Sequence, residues 1–206
     1  MRRQIKLGLT KLLQRVLICL LVFVIVTKTI PWRWSSRHAT KWYADDPALQ
    51  TELARGVAHW ITGTALTRDN FTTGSDLFDG EWLFGSYVMA GIGFGQLISL
   101  QPEMASMALP LMEQCITRIL DDDVRCFDSA SWKNDPIETL DSLDDHHAAY
   151  LGYLNVLLGL YRLHAPHNRY AEIHDRITAS LVRRLKASDI LLLQTYPAEV
   201  YPVDNC

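Results

Sequence analysis

After an initial apolar run, the chain alternates between two kinds of segment. Residues 81–100, EWLFGSYVMAGIGFGQLISL, are apolar on nearly every side, the pattern of a helix with neighbours all round it. Gly85, Gly91, Gly93 and Gly95 weaken such a helix but let its neighbours come close. Residues 103–121 differ. Met104, Met107, Ala108, Leu111, Cys115, Ile116 and Ile119 share one stripe, with Glu113, Gln114 and Arg118 off it, which predicts a helix with one wet face. Residues 147–163, HAAYLGYLNVLLGLYRL, are again apolar almost all round. Residues 168–187 return to a stripe, Tyr170, Ile173, Ile177, Leu181 and Leu185, with Glu172, Asp175, Arg176, Arg183 and Arg184 outside it.

Alternation of buried and half-exposed helices is what two concentric helical layers produce, because an inner helix touches neighbours on several sides and an outer one packs inward only. The pattern predicts an all-α fold, an α/α toroid of inner and outer helices. Asp79, Asp145 and Asp204 mark successive inner-helix starts, at intervals of 66 residues (79 to 145) and 59 residues (145 to 204). Each interval accommodates one helix hairpin with generous loops. Asp204 and Asn205 would cap a third inner helix, so the ring is expected to be partial, the first part of a larger one.

Turn chemistry fills in the rest. Asp46-Pro47 is an N-cap followed by proline at the first helical position, and starts a helix that runs to about residue 66. Residues 67–80, TRDNFTTGSDLFDG, are rich in turn formers and predict a long loop. After residues 190–194, ILLLQ, Pro197 and Pro202 cannot donate to a ladder or a helix, so the tail should cross the rim as a loop.

The initial run is VLICLLVFVIV, residues 16–26, eleven apolar positions preceded by Arg2, Arg3, Lys6, Lys11 and Arg15. Eleven is short against the roughly 20 residues that span a bilayer. Leu12, Leu13 and residues 27–30 extend it, Arg15 and Lys28 can snorkel, and Trp32 and Trp34 supply an interfacial belt. Small residues in an A-x-A arrangement are lacking, which favours an uncleaved anchor over a signal peptide. Ile18 before Cys19 argues against a lipoprotein. The positive flank keeps the N-terminus cytoplasmic and predicts an inner-membrane, single-pass protein with its main domain on the periplasmic side. The expected organisation is a basic end and anchor over 1–34, a polar and aromatic connector over 35–45, and a toroid segment over 46–206.

Composition narrows the chemistry. The chain has 206 residues, 49% apolar and 21% charged, with a formal net charge of −3, which suits a single globular core. Outside the N-terminus no basic block offers a phosphate-tracking surface, so nucleic acid is excluded as a partner. Cys19, Cys115, Cys126 and Cys206 fit neither a C-x-x-C redox site nor a zinc knuckle. No metal and no cofactor is expected. Cys115 and Cys126 are either one disulfide or two separate thiols. The Asn70-Phe71-Thr72 sequon has meaning only in a eukaryotic secretory pathway, and P-loop, dinucleotide and G-x-S-x-G fingerprints are absent.

Consecutive inner helices in a ring run parallel, so their N-terminal ends gather on one rim. The first brings FDGEWLFGSY, with Asp79, Glu81, Trp82 and Tyr87; the second LDDHHAAYLGY, with Asp144, Asp145, His146, His147, Tyr150 and Tyr153; the third TYPAEVYPVDN, with Tyr196, Glu199, Tyr201, Asp204 and Asn205. Carboxylates beside aromatic rings are equipment for a polyhydroxylated ligand: the carboxylates act as acid and base while the rings stack on sugars. The competing explanation is that Asp and Glu at helix starts simply cap free N–H groups. His146 and His147 are adjacent on a helix and point about 100° apart, which disfavours a shared metal ion. Asp144 and His147 are spaced to form a carboxylate–imidazole pair.

FDGEWLFGSYVMAGIG, AAYLGYLNVLLGLYR and TYPAEVYPVDN together resemble the repeats of α/α-toroid proteins over about residues 46–206. These include glycosidases, uronate epimerases and lyases, and linalool dehydratase/isomerase-like domains. The carbohydrate-active members imply catalytic carboxylates at Glu81, Asp145, Glu199 and Asp204, with Trp82, His146, His147, Tyr150, Tyr196 and Tyr201 binding the ligand. The linalool dehydratase/isomerase-like members imply an isoprenoid alcohol and cysteine chemistry, for which Cys126, after an outer helix, is the nearest candidate. The resemblance thus implies a glycan or other small-molecule ligand, and a non-catalytic glycan- or protein-binding scaffold remains the alternative from a different class.

Overall fold

The computed structural model describes residues 2–63 and 66–205. The expected helix end at residues 64–65 and the terminal Cys206 lie outside them. Among the described residues the regular structure is all helical, joined by loops, with one isolated antiparallel bridge between Tyr196 and Glu199. It divides into two compact units after Gln50.

The first unit is built on helix α1 (Arg2–Tyr43). The segment Lys11–Tyr43 is long and apolar enough to cross a membrane, and its apolar side chains from Val16 to Val26 are exposed. The connector expected after Trp34 is helical as far as Tyr43, and Pro31 lies inside the helix. Its polar residues do not end it, because Thr27, Ser35 and Thr40 donate their hydroxyls to carbonyls one turn back. Helix α2 (Pro47–Gly63) begins as expected, with Asp46 Oδ1 accepting the Leu49 N–H at 2.9 Å.

In the second unit, α3 (Asp76–Leu100) pairs with α6 (Ala148–His164). The rings of Phe84 and Tyr150 are 5.1 Å apart, Gly91 meets Leu157, Gly95 meets Leu160, and Ser99 Oγ lies 3.2 Å from His164 Nε2. The partners advance together, at an offset of 65 or 66 residues (84 to 150, 91 to 157, 95 to 160, 99 to 164). The two helices therefore run parallel and side by side, at the interval read from the sequence. Helix α4 (Ala105–Leu120) packs on both of them through Ala108, Met112, Cys115, Ile116 and Ile119 and leaves its other face wet. Helix α7 (Ala171–Ala187) packs on α6.

Three further features differ from the sequence reading. Residues 122–132 form a further helix, α5 (Asp122–Trp132), against α3, α4 and α6. It opens on Asp122 and Asp123, buries Val124, Phe127, Asp128 and Trp132, and is too short and polar for periodicity to announce it. Helix α3 starts before Glu81, with Asp76 to Gly80 helical instead of looped. Finally, the paired helices are not covered all round. On α3, Phe78, Trp82 and Met89 are 51%, 60% and 58% exposed, and Val156 and Leu163 of α6 are open as well.

Candidate functional site

The rim at the start of α3 and α6 carries a cleft of about 660 Å³. Phe78, Trp82, Gly85 and Met89 of α3 form one wall, Ala149 and Tyr153 of α6 the other, and Val203 and Asp204 of the tail close one side. Phe84, Val88 and Phe127 form its floor from the core. Glu81 and Asp204 are its carboxylates, and Ser86 adds a hydroxyl.

The tail reaches this position because it folds on itself. Thr195 Oγ1 donates to Asp204 Oδ2 at 2.6 Å, and Asn205 Nδ2 donates to the carbonyls of Leu193 and Tyr201. Asn205 Oδ1 accepts the Leu193 N–H at 2.6 Å. Asp204 thus sits in a short 3-10 turn, Pro202–Asn205, with one carboxylate oxygen engaged by Thr195.

Of the rim residues singled out in the sequence, Glu81, Trp82, Tyr153 and Asp204 line the cleft. Tyr196 brings its ring beside them: its hydroxyl is buried without a hydrogen bond of normal geometry, next to the Glu81 carboxylate. Burial first, and the negative charge of Glu81 second, push the Tyr196 phenol well above its ordinary value. Glu199 is exposed and accepts the Tyr201 hydroxyl at 2.7 Å, and that bond raises the Tyr201 phenol. Asp79 is occupied as a loop anchor, accepting both the N–H and the hydroxyl of Thr73.

The second group of rim residues is placed differently. Asp145 accepts from Asn134 Nδ2 at 3.2 Å and is not part of the cleft wall. Tyr150 is fully buried, and its hydroxyl donates to the Ile119 carbonyl at 2.9 Å, so it belongs to the core. His147 is also fully buried, at a left-handed position (φ 52°) immediately before α6. Its partner is not Asp144 but Asp128 of α5, with Nδ1 2.5 Å from Oδ2, while Nε2 meets Thr139 Oγ1 at 3.2 Å and the Trp132 ring lies 4.9 Å away. Both ring nitrogens are engaged, so His147 fixes the start of α6 and does not face a ligand. Burial pushes the Asp128 carboxyl up, against the opposing pull of His147. Asp144 has its N–H held by Ser142 Oγ instead.

Arg184 of α7 completes this buried network. It is fully buried and donates to the carbonyls of Thr139, Ser142 and His146, at 2.6, 3.1 and 3.0 Å. One planar guanidinium thereby fixes the loop that leads into α6. His146 stands at the end of that loop and accepts the Gln194 N–H on Nδ1 at 2.9 Å.

Cys115 and Cys126 are separate thiols. Burial pushes Cys115 up to about 12, which leaves it inert, and Cys126 donates to the Asp123 carbonyl. Among the described residues no group of three or more His, Cys, Asp or Glu is placed to hold a metal ion.

Sequence reasoning missed Phe78, Met89 and Val203 in the cleft and Asp128 and Arg184 beneath the rim. Met89 falls in the segment read as buried, Phe78 in the stretch read as a loop and Val203 in the proline-rich tail. Asp128 lies on the unannounced α5, and Arg184 was assigned to the wet side of its helix by stripe alone. Compared with protein families, curated proteins and solved structures, the chain matches none of them.

Proposed function

We propose that the chain is a membrane-anchored helical domain of α/α-toroid type that binds a hydroxylated small molecule in the rim cleft and handles its protons with Glu81 and Asp204. The observation that carries this reading is the composition of the cleft: two carboxylates and the Ser86 hydroxyl on a lining that is otherwise mainly apolar and aromatic, with Phe78, Trp82, Met89, Tyr153 and Val203. Such a cleft accepts a hydroxyl at the carboxylates and an apolar body along the wall. The chemistry is loss or migration of that hydroxyl. A protonated carboxyl delivers its proton to the departing oxygen as the C–O bond breaks and water leaves. The other carboxylate takes a proton from the adjacent carbon, and the C–H electrons become the new double bond. A lyase or isomerase acting on an isoprenoid-type alcohol fits this arrangement.

A glycan is the second reading, favoured by the exposed Trp82 ring beside Glu81, which offers a stacking face for a sugar. Binding of unbranched and branched isoprenoid alcohols, set against oligosaccharides, to the detergent-solubilised full chain decides between them. Saturable binding of the alcohols, lost in Glu81→Gln, supports the first reading. Saturable binding of an oligosaccharide, lost in Trp82→Ala, supports the second. Binding of neither class leaves the domain a scaffold.

For the anchor we propose that α1 spans the inner membrane with its N-terminus cytoplasmic and the second unit on the periplasmic side. The support is the apolar segment of Lys11–Tyr43 and the basic residues before it. Reporter fusions placed after Trp34 should be active only outside the cytoplasm. A cytoplasmic signal overturns this topology.

A further inference from the structure

We infer that His146 is a pH-sensitive latch for the C-terminal segment: protonation of its imidazole releases residues 194–205 and removes one side of the cleft. The latch is read from the hydrogen bonding alone, and its consequence for ligand binding rests on the cleft being the site.

The key contact is the Gln194 N–H donated to His146 Nδ1 at 2.9 Å. Nδ1 can accept only while it carries a lone pair, so the ring is neutral with its proton on Nε2. An imidazolium has N–H groups at both nitrogens. Protonation therefore turns the acceptor into a donor aimed at another donor, and the contact is lost. Gln194 is fastened on its other side as well, its carbonyl accepting the Ala148 N–H at 3.2 Å, while the Thr195 carbonyl accepts Trp132 Nε1 at 3.3 Å. These bonds join the tail to the beginning of α6 and the end of α5. Beyond Thr195 the segment is bonded within itself, through Thr195–Asp204, Thr195–Glu199 and Leu193–Asn205. Its turn also packs on α6 and Tyr196 lies beside Glu81, so loss of the His146 bond leaves the segment hydrogen-bonded to the helices through Ala148 and Trp132 and loosens it as one piece, Val203 and Asp204 included.

The charges around His146 set where the latch opens. Arg184 approaches from α7 and donates to the His146 carbonyl, and Trp132 of α5 lies 6.4 Å from the ring with the Asp128–His147 pair behind it. His147, Asp144 and Asp145 come from its own loop, and the tail contributes the uncharged Gln194. Burial, Arg184 and His147 disfavour the imidazolium by more than Asp144 and Asp145 favour it, so His146 titrates below its ordinary 6.5. A depressed folded value means that the latch is fully closed above about pH 6.5 and opens as pH falls through the folded value. A domain facing the periplasm, as proposed above, would meet such acidity directly.

The test is hydrogen–deuterium exchange of peptides covering residues 189–205 in the detergent-solubilised full chain without ligand, at about pH 7.5 and about pH 5. Rates are corrected for the intrinsic pH dependence of amide exchange. Protection of the tail should fall roughly tenfold at the lower pH in the natural chain. His146→Asn should keep its protection at both pH values, because an amide oxygen can accept from Gln194 and does not titrate. Unchanged protection in the natural chain, or the same loss in His146→Asn, overturns the latch. Independently of any variant, the His146 ring nitrogen signals must titrate with the same midpoint as the loss of protection, and a different midpoint also overturns it. If the latch titrates while neither alcohols nor oligosaccharides bind, only the reading of the cleft fails.

Discussion

Gly91 of α3 faces Leu157 of α6 so closely that a Cβ at position 91 would lie 2.8 Å from Leu157 Cδ1 and 3.4 Å from Cys115 Cβ. A Cβ at Gly95, one turn on, would press into Leu160 and come within 2.9 Å of Met112 Cε. The two parallel helices therefore meet through glycine, and a side chain there makes Leu157 or Leu160 shift or the helices part. Gly91→Leu should destabilise the fold by about 1–3 kcal/mol, read from chemical denaturation. Gly93 is the internal control. It is exposed on the same helix with nothing within 4 Å of its would-be Cβ, so Gly93→Ala should hold stability or raise it by about 0.5–1 kcal/mol through helix propensity.

Much of this pairing was legible beforehand, and the reason is physical. Apolar periodicity reports how many sides of a helix are covered, and the interval between similar segments reports which helices lie next to each other. Hence the offset between Phe84 and Tyr150, 66 residues, equals the spacing of Asp79 and Asp145. What periodicity cannot report is a partner from a short polar helix. Asp128 sits among Asp122, Asp123 and Arg125 in a stretch with few apolar residues, and nothing local marks it as the carboxylate that His147 will meet. Tyr150 failed in the opposite sense: an aromatic residue near a rim reads like a ligand platform, but its ring is needed by the core and its hydroxyl by the Ile119 carbonyl. Met89, in a segment apolar nearly all round, reads as covered but is 58% exposed, because composition does not say whether a covering element is present.

Arg184 gives a second prediction. A lysine in its place keeps the charge but brings a single ammonium where a planar fork now serves three carbonyls. Arg184→Lys should cost about 2–4 kcal/mol, since the partly buried carbonyls of Thr139, Ser142 and His146 cannot all be satisfied. The loss should be larger than for Arg183→Lys on the neighbouring, half-exposed position. Equal effects of the two substitutions would show that the fork is not what holds the loop.

The cleft residues behave oppositely. Trp82 is largely exposed and Glu81 is engaged by no ion pair among the described residues. Trp82→Ala and Glu81→Gln should each change thermal stability by no more than about 0.5 kcal/mol, while lowering affinity for the cleft's ligand. A Glu81→Gln chain that unfolds readily would place Glu81 in the framework of the fold and not in a site.

Tyr196 separates framework from function most sharply. Its hydroxyl is buried beside the Glu81 carboxylate without a hydrogen bond of normal geometry. A buried hydroxyl left unpaired costs the folded chain on the order of 1 kcal/mol or more. Tyr196→Phe deletes that hydroxyl and keeps the ring, so a purely structural Tyr196 predicts equal or higher stability in the variant, by about 1 kcal/mol, with no effect on binding. A Tyr196 that donates to a ligand oxygen held between it and Glu81 predicts the same gain in stability together with weaker binding, because the donor is lost where the ligand needs it. Denaturation of the free chain therefore tests whether the hydroxyl is unpaired, and ligand titration of the same variant tests whether a ligand is what pairs it. A clear loss of stability in Tyr196→Phe would show instead that the phenol already bonds Glu81 and that this corner of the cleft is complete without a ligand.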